Sequence, residues 1–429
     1  MNDSIDRLRN LLSPGTKTFA VCERPPVMAS GHGATLVDTE GQRYVDMASG
    51  SSVMHVGYGN EAVLQAIRRQ LDTGVTHIGP HFHTVSQAGF LDAIARVLPP
   101  SLARIHPATN GTEAAEVAIK LCQYATGRHR FVTFQGSYHG RTAGALAVSS
   151  ARSKSEAIGP FLPAAQVLPY PDCESCDSRL ASGACCGRPQ QAMLEAVGSS
   201  SYGLHELAGI FVEPIQGTGG MIVPPHGFLS ALAERARELH IPLVFDEVFT
   251  GFGRTGRMFA FEHEGVVPDV LVLAKSMSGG MPAGLVAASE RFFERLPGGA
   301  ISSTFQLHPV AAAAGEAALR FTTEQDLPAK ARIVETWFRK ALEPLRGRPP
   351  VRSVRGIGAM FGLEIVDDSG RPDSKACQRI RRQCLHGGLI TYECGRAGEV
   401  LGLLPPLVIT REEFNHGIVI LTEALEIVR

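Results

Sequence analysis

Neither charge is in excess in this 429-residue sequence: 41 lysines and arginines stand against 42 aspartates and glutamates. No basic run or stripe breaks that balance, which argues against nucleic acid as a partner. No apolar run approaches the roughly 20 residues that a membrane-crossing helix needs. The stretch Met1–Gly15 carries acids and lacks an apolar signal core, so a soluble cytoplasmic enzyme is the expectation, with no membrane partner. Internal repeats and low-complexity tracts are missing too. What remains is a chain long enough for a large core and more than one domain.

Cysteine is sparse except in one place. Four of the nine fall in Cys173-Glu-Ser-Cys176 and Cys185-Cys186. The pairs suggest zinc, but the second lacks the usual two-residue spacing, and adjacent cysteines strain a tetrahedral site. A surface insertion is the simpler assignment, with a redox-sensitive pair as a further alternative, so no metal is expected. A constitutive disulfide is disfavoured in a reducing compartment.

The informative stretch is Leu243–Gly284. Two continuous apolar runs each end on a charge: Val244-Phe245 leads into Asp246, and Val270–Ala274 leads into Lys275. Such runs read as strands buried on both faces. In an open parallel sheet the carboxyl ends of strands face the ligand crevice. A lone aspartate there is usually a cap, and a lone lysine is usually solvated; a lysine closing a five-residue apolar strand is seldom left unpaired inside. Together they fit pyridoxal phosphate, the lysine for its aldehyde and the acid for its ring nitrogen.

Phosphate and ring contacts are available elsewhere. Thr109–Ala114 precedes a helical pattern through Val117, Ile119, Leu121 and Cys122. Gly111 allows close approach of an anion, Thr112 adds a hydroxyl, and the helix N-terminus offers free amides. An ordinary capped helix would look similar. Arg130–Phe134 reads as a strand, after which Tyr138 could lie flat on a ring, with His139 and Arg141 as polar neighbours.

These residues resemble the class III pyridoxal-phosphate aminotransferases over nearly the whole chain. The likeness runs from Tyr44–Gly50 and Gly57–Asn60, through Glu213–Gly217, Asp246…Lys275 and Ser303–Phe305, to Gly356–Gly358 and Leu404–Thr410. It implies fold type I, an α/β large domain with a mostly parallel central sheet plus a smaller α+β domain. The expected division is 1–55 for an N-terminal segment packing with the small domain, 56–321 for the cofactor-binding domain, and 322–429 for the small domain. It also implies residue roles. Lys275 is the Schiff-base lysine and proton shuttle, and Asp246 partners the pyridine nitrogen. Val248 and Tyr138 cover the two ring faces, Gly111 and Thr112 bind phosphate, and His139 and Glu213 lie near the cofactor. Thr304 reaches the phosphate of the partner subunit, so a homodimer with shared sites is implied. The expected chemistry is ping-pong transfer of an amino group from an amine or amino acid to a keto acid.

The departures concern substrate. Many glutamate-using relatives pair an acid after the Gln-Gly pair with an arginine in the late strand. Here those positions are Thr218 and Gly402. Both halves are absent, which favours an ω-amine-type or other non-glutamate pocket. Arg141 is a candidate carboxylate anchor; Arg396 could substitute for the missing arginine but reads more simply as a solvated loop residue. Phe249 replaces a frequent glutamine, and Ser51 matches a pocket position supplied by the neighbouring subunit. Among alternatives, an amino-acid racemase or epimerase of the same family is the strongest. A decarboxylating relative and a non-catalytic scaffold are weaker, because Lys275 and Asp246 are both intact.

Strand and helix patterns alternate from about Glu61 to Ala314, as a mostly parallel sheet requires. An Ala-rich helix is expected over Ala311–Phe321. Short strands are expected at Met360–Val366, Gly388–Tyr392 and Val400–Leu404. Pro344–Pro350 reads as a turn-rich loop, not an interdomain linker.

Overall fold

Four strands buried along their whole length form the middle of a seven-stranded sheet: Leu207–Val212, Leu243–Asp246, Val270–Ala274 and Gly284–Ala288. In this computed structural model the described residues are 2–13, 15–150, 165–174, 187, 191, 194–197 and 206–428. Cys176, Cys185 and Cys186 lie outside them.

The strand order across the sheet is Arg104–Ala108, Gly284–Ala288, Val270–Ala274, Leu243–Asp246, Leu207–Val212, Arg130–Phe134, Ala165–Leu168. Gly284–Ala288 runs antiparallel to both its neighbours; every other pairing is parallel. The carboxyl ends of Ala108, Phe134, Val212, Asp246 and Ala274 therefore lie along one edge. Gly284 sits where the reversed strand enters that edge, and a Cβ there would meet the Asn110 carbonyl oxygen at 2.4 Å. Glycine lets the phosphate-type loop close over the sheet.

Gly111–Thr126 is a helix because Asn110 caps it and an apolar face repeats at helical spacing. The Asn110 side chain accepts from the Glu113 amide, Gly127 closes the far end at φ 68°, and Ala114, Val117, Ala118, Leu121 and Cys122 are buried. That face packs on the sheet with Phe131, Phe211, Val244 and Val272.

A second core joins the two ends of the chain. Ala34, Val45 and Met47 pack with Phe338, Phe361, Leu401, Phe414 and Leu421. Met28–His32, Thr35–Asp38 and Arg43–Asp46 form a small sheet completed by Leu389–Ile390. A third sheet contains Val351–Ile357, Met360–Ile365, Val400–Leu403 and Tyr392–Cys394. The chain is thus α/β with a mostly parallel central sheet and a separate smaller domain.

Three elements differ from the expectation. Gly388–Tyr392 is not one strand: Leu389–Ile390 pairs parallel with Val45–Asp46, and Tyr392–Cys394 pairs antiparallel with Val400–Gly402. The break at Thr391 lets one segment serve two sheets. Val351–Ile357 is a strand that the sequence reading passed over, in a tight hairpin with Met360–Ile365. The Ala-rich helix spans Pro309–Glu324, longer than expected at both ends.

Candidate active site

At the carboxyl edge of the large sheet lies a cavity of about 440 Å³, lined by residues of all the strand ends just named. That is within the range of roughly 300–1,000 Å³ typical of small-molecule sites. Gly111, Thr112, Tyr138, His139, Glu213, Asp246, Val248 and Lys275 all line it. Eight expected residues, spread over 165 positions of sequence, are brought together by the sheet.

Asp246 is held from both sides. Its Oδ1 accepts the Val248 amide at 2.9 Å and its Oδ2 lies 2.7 Å from His139 Nδ1. Both residues are buried. With the carboxylate as acceptor, the proton of this contact sits on His139 Nδ1. His139 Nε2 then faces apolar surroundings without a partner among the described residues, beside the Phe211 ring.

Glu213 Oε1 accepts the Tyr138 amide at 2.9 Å and Oε2 accepts the Gly217 amide at 3.0 Å. Burial raises its pKa to about 7; the Asp246 charge adds to the rise, while His139 and the two amides oppose it. Lys275 keeps a little exposure to the cavity, with its Nζ 4.3 Å from the centre of the Phe249 ring. Burial of its amine lowers the pKa to about 8, against the attraction of Asp246 and Glu213, and Arg254 lowers it further. An amine so placed is half neutral near that pH, as a nucleophile and base must be.

The phosphate end is built from backbone. Asn110 takes up the amides of Glu113 and Ala114, so Gly111 and Thr112 present first-turn amides with no partner among the described residues. A Cβ on Gly111 would stand 2.9 Å from Val248 Cγ1. Gly111→Ala is expected to push Val248 into the cavity and weaken cofactor retention by about 10- to 100-fold, the scale of ordinary overpacking. Equilibrium dialysis of pyridoxal phosphate tests this; an unchanged Kd would show that Val248 does not bound the ring.

Four expected residues do not line the cavity. Ser51, Arg141 and Thr304 are exposed, and Arg141 lies over the Tyr138 ring at 5.6 Å. Gly402 is buried beneath the wall. A Cβ there would meet Met221 Cε at 3.0 Å, Cys394 Sγ at 3.2 Å and Tyr392 Cβ at 3.3 Å. Tyr392 stands opposite Gly402 in the strand pair, against Phe249 at 5.7 Å between ring centres and beside the Thr218 side chain. Neutral groups thus fill the region around positions 218 and 402. Arg396 is exposed, on a loop tied to the Thr218 carbonyl through the Gly395 amide. The sequence reading missed Val53 and Met281, which also line the cavity. The paired glycines Gly279-Gly280 were a signal for the latter; Val53 carried none. Among the described residues no cluster of histidine, cysteine or acid could hold a metal ion, and no helix is long and apolar enough to cross a membrane.

Comparison with known families matches residues 19–425 to the class III aminotransferases. The chain belongs to that family. A diaminobutyrate–2-oxoglutarate aminotransferase of Rhizobium meliloti is 32% identical, over 91% of this chain and 86% of its own. An acetylornithine aminotransferase of Methanopyrus kandleri is 33% identical over 94% of both. In structure, the class III chain resembles an (S)-enantioselective omega-transaminase from Thermomicrobium roseum, with a TM-score of 0.91 and 28% identity, covering 100% and 98% of the two chains. An amine transaminase from an uncultivated Pseudomonas species, solved with pyridoxal phosphate bound, gives 0.89 at 26% identity and 98% coverage of each. The fold is type I, the enzyme is an aminotransferase, and its cofactor is pyridoxal phosphate. The cavity fits that cofactor: unpartnered helix amides at one end, a fixed buried acid at the other, and an amine of lowered pKa between apolar walls.

Proposed function

We propose that this aminotransferase takes its amino group from an ω-amine or a neutral amino acid, not glutamate, and passes it to a keto acid by a ping-pong mechanism. The bound cofactor supplies an aldehyde that accepts the amino group and a ring that takes up electrons when the substrate proton leaves. Lys275 would hold the aldehyde carbon and, once free, move that proton. Asp246, oriented by His139, would keep a proton on the ring nitrogen. Gly111 and Thr112 would hold the phosphate, and Val248 and Tyr138 the two ring faces.

The donor class rests on the wall at Gly402. Thr218, Phe249, Met221 and Tyr392 present no cation to a carboxylate there, and the space an arginine would need is already occupied. Glutamate brings two carboxylates where alanine brings one, and burying the second against such a wall without a partner is costly. Arg141 and Arg396, both exposed, are the groups that could meet the carboxylate of a keto-acid acceptor at the cavity mouth. The exposure of Thr304, Phe305, Phe82 and Val85 supports a homodimer in which Ser51 and Thr304 serve the partner's site.

A half-reaction screen tests the proposal. Each donor is added alone to the cofactor-loaded protein, and absorbance follows conversion of the cofactor to its amine form. Conversion by ω-amines or alanine, with glutamate at least about 100-fold slower, is the expected result; a lost carboxylate partner is worth about that. Rapid conversion by glutamate would overturn the pocket assignment. Exchange of the substrate α-proton with solvent deuterium, with no amine form of the cofactor, would indicate racemisation instead.

A further inference from the structure

Arg254 is the largest of the side chains that are fully buried among the described residues. No carboxylate pairs with it there. Its Nε donates to His55 Nε2 at 3.0 Å, Nη1 to the carbonyls of Ala359 at 3.0 Å and Pro405 at 2.6 Å, and Nη2 to Ser49 Oγ at 3.3 Å. A guanidinium has donors only, so His55 Nε2 carries no proton. The His55 proton is therefore on Nδ1, which donates to the Phe252 carbonyl at 3.2 Å. Burial, with Arg254 and Lys275 as neighbouring cations, drives the imidazole well below its usual pKa and keeps it neutral.

The other contact of that same Nε2 is Ser276 Oγ at 2.7 Å, whose single hydroxyl proton is shared between Nε2 and the Ser52 carbonyl at 3.0 Å. Ser276 follows Lys275 directly. Both segments joined here have unusual backbone: Lys275 has φ 53°, and Ser49, Gly50, Ser51 and Ser52 have φ of 48°, 54°, 75° and 63°. Left-handed serines and lysines persist only where their surroundings over-determine them. Asp46 supplies part of that restraint, accepting the amides of Ala48 at 2.7 Å and Gly50 at 3.0 Å. The hydrogen bonds radiating from His55 and Arg254 supply the rest. They end at Ser52, next to the cavity residue Val53, and at Ser276, next to Lys275.

We propose that His55 and Arg254 are positioning residues for amino transfer: through Ser276 and Ser52 they lock the left-handed Lys275 turn against the left-handed 49–52 segment, keeping the Lys275 amine aimed into the cavity. The proposal rests on the aminotransferase reading of Lys275. It adds a role for residues that do not line the cavity.

The test uses Ser276→Ala, His55→Leu and His55→Gln in the full-length protein. Two readouts are taken: kcat and KM of the cofactor-loaded enzyme, and the pH midpoint at which Lys275 of the cofactor-free protein reacts with a small amine-directed reagent. Asp246, Glu213 and Arg254 are the charges that face that amine. Ser276→Ala and His55→Leu are expected to lower kcat by about 10- to 100-fold with KM nearly unchanged, as a misaimed group does. The Lys275 midpoint should move away from about 8. His55→Gln, which restores an acceptor where Nε2 was, should recover most of both. Folded variants whose kcat and Lys275 midpoint match wild type would overturn the proposal. If His55→Leu does not fold, Ser276→Ala decides alone, since it removes one hydroxyl. A wild-type enzyme without transaminase activity would sink the underlying reading, yet the Lys275 midpoints would still decide whether the lock exists.

Discussion

Lys275→Ala is expected to lower kcat for amino transfer by about 10⁴-fold, the upper end of what a positioned acid–base group contributes. Among the described lining residues Lys275 carries the only amine. Its value as a base depends on being neutral, and burial brings its pKa down to about 8. Below that pH the amine is protonated and cannot take a proton; above it the neutral form is available. The rate should therefore rise with pH through a limb near 8 in wild type. Lys275→Arg separates charge from basicity, because a guanidinium stays protonated at any workable pH. Single-turnover absorbance with an ω-amine should show both variants equally impaired, and an added small primary amine should partly restore the alanine variant. Retention of kcat within tenfold by Lys275→Ala would remove the lysine from the chemistry.

The legibility of this site followed strand direction. Asp246 and Lys275 end apolar runs, Tyr138 and Glu213 follow others, and Gly111 opens a helix; parallel strands deliver all of them to one edge. Periodicity and the rule that ligands bind at carboxyl ends point to Asp246, Lys275, Tyr138 and Gly111; Glu213 is singled out only through the family resemblance. Long-range register was illegible by the same logic. Tyr392 faces Gly402 only because Leu389–Cys394 divides between two sheets, and no local pattern marks Thr391 as the break. Arg254 and His55 meet across 199 residues. Nothing at either position distinguishes a buried pair from a solvated arginine and a lone histidine. Ser51, Arg141 and Thr304 illustrate a different limit. They are exposed and do not line the cavity of their own chain, so this structure alone gives them no partner at the site.

The absence of an acid and an arginine at Thr218 and Gly402 acquires a physical content that sequence alone could not supply. Gly402 is closed over by Met221, Cys394 and Tyr392, so the space is not vacant and waiting for substrate. The proposed donor class therefore rests on what packs against position 402 as much as on the missing charge.

Asp246→Asn should lower kcat by about 10²- to 10³-fold, the usual scale for removing one preorganised electrostatic partner. Asparagine has nearly the shape of aspartate and can keep the Val248 amide bond, now 2.9 Å. It cannot accept the His139 Nδ1 proton and also present an amide in that direction. If the amide nitrogen faces His139, the imidazole must carry its proton on Nε2, where no partner exists among the described residues. An unsatisfied buried N–H costs about 1–3 kcal/mol. The charge is lost as well, so nothing would hold a proton on the cofactor ring nitrogen. Asp246 also raises the Lys275 pKa by attraction. Its removal should shift the midpoint of Lys275 reactivity in the cofactor-free protein downward from about 8. Asp246→Glu keeps the charge but displaces it by one methylene, and should retain more activity than the asparagine variant. Equal losses in the two, with the Lys275 midpoint unmoved, would mean that Asp246 acts through packing and not through its charge.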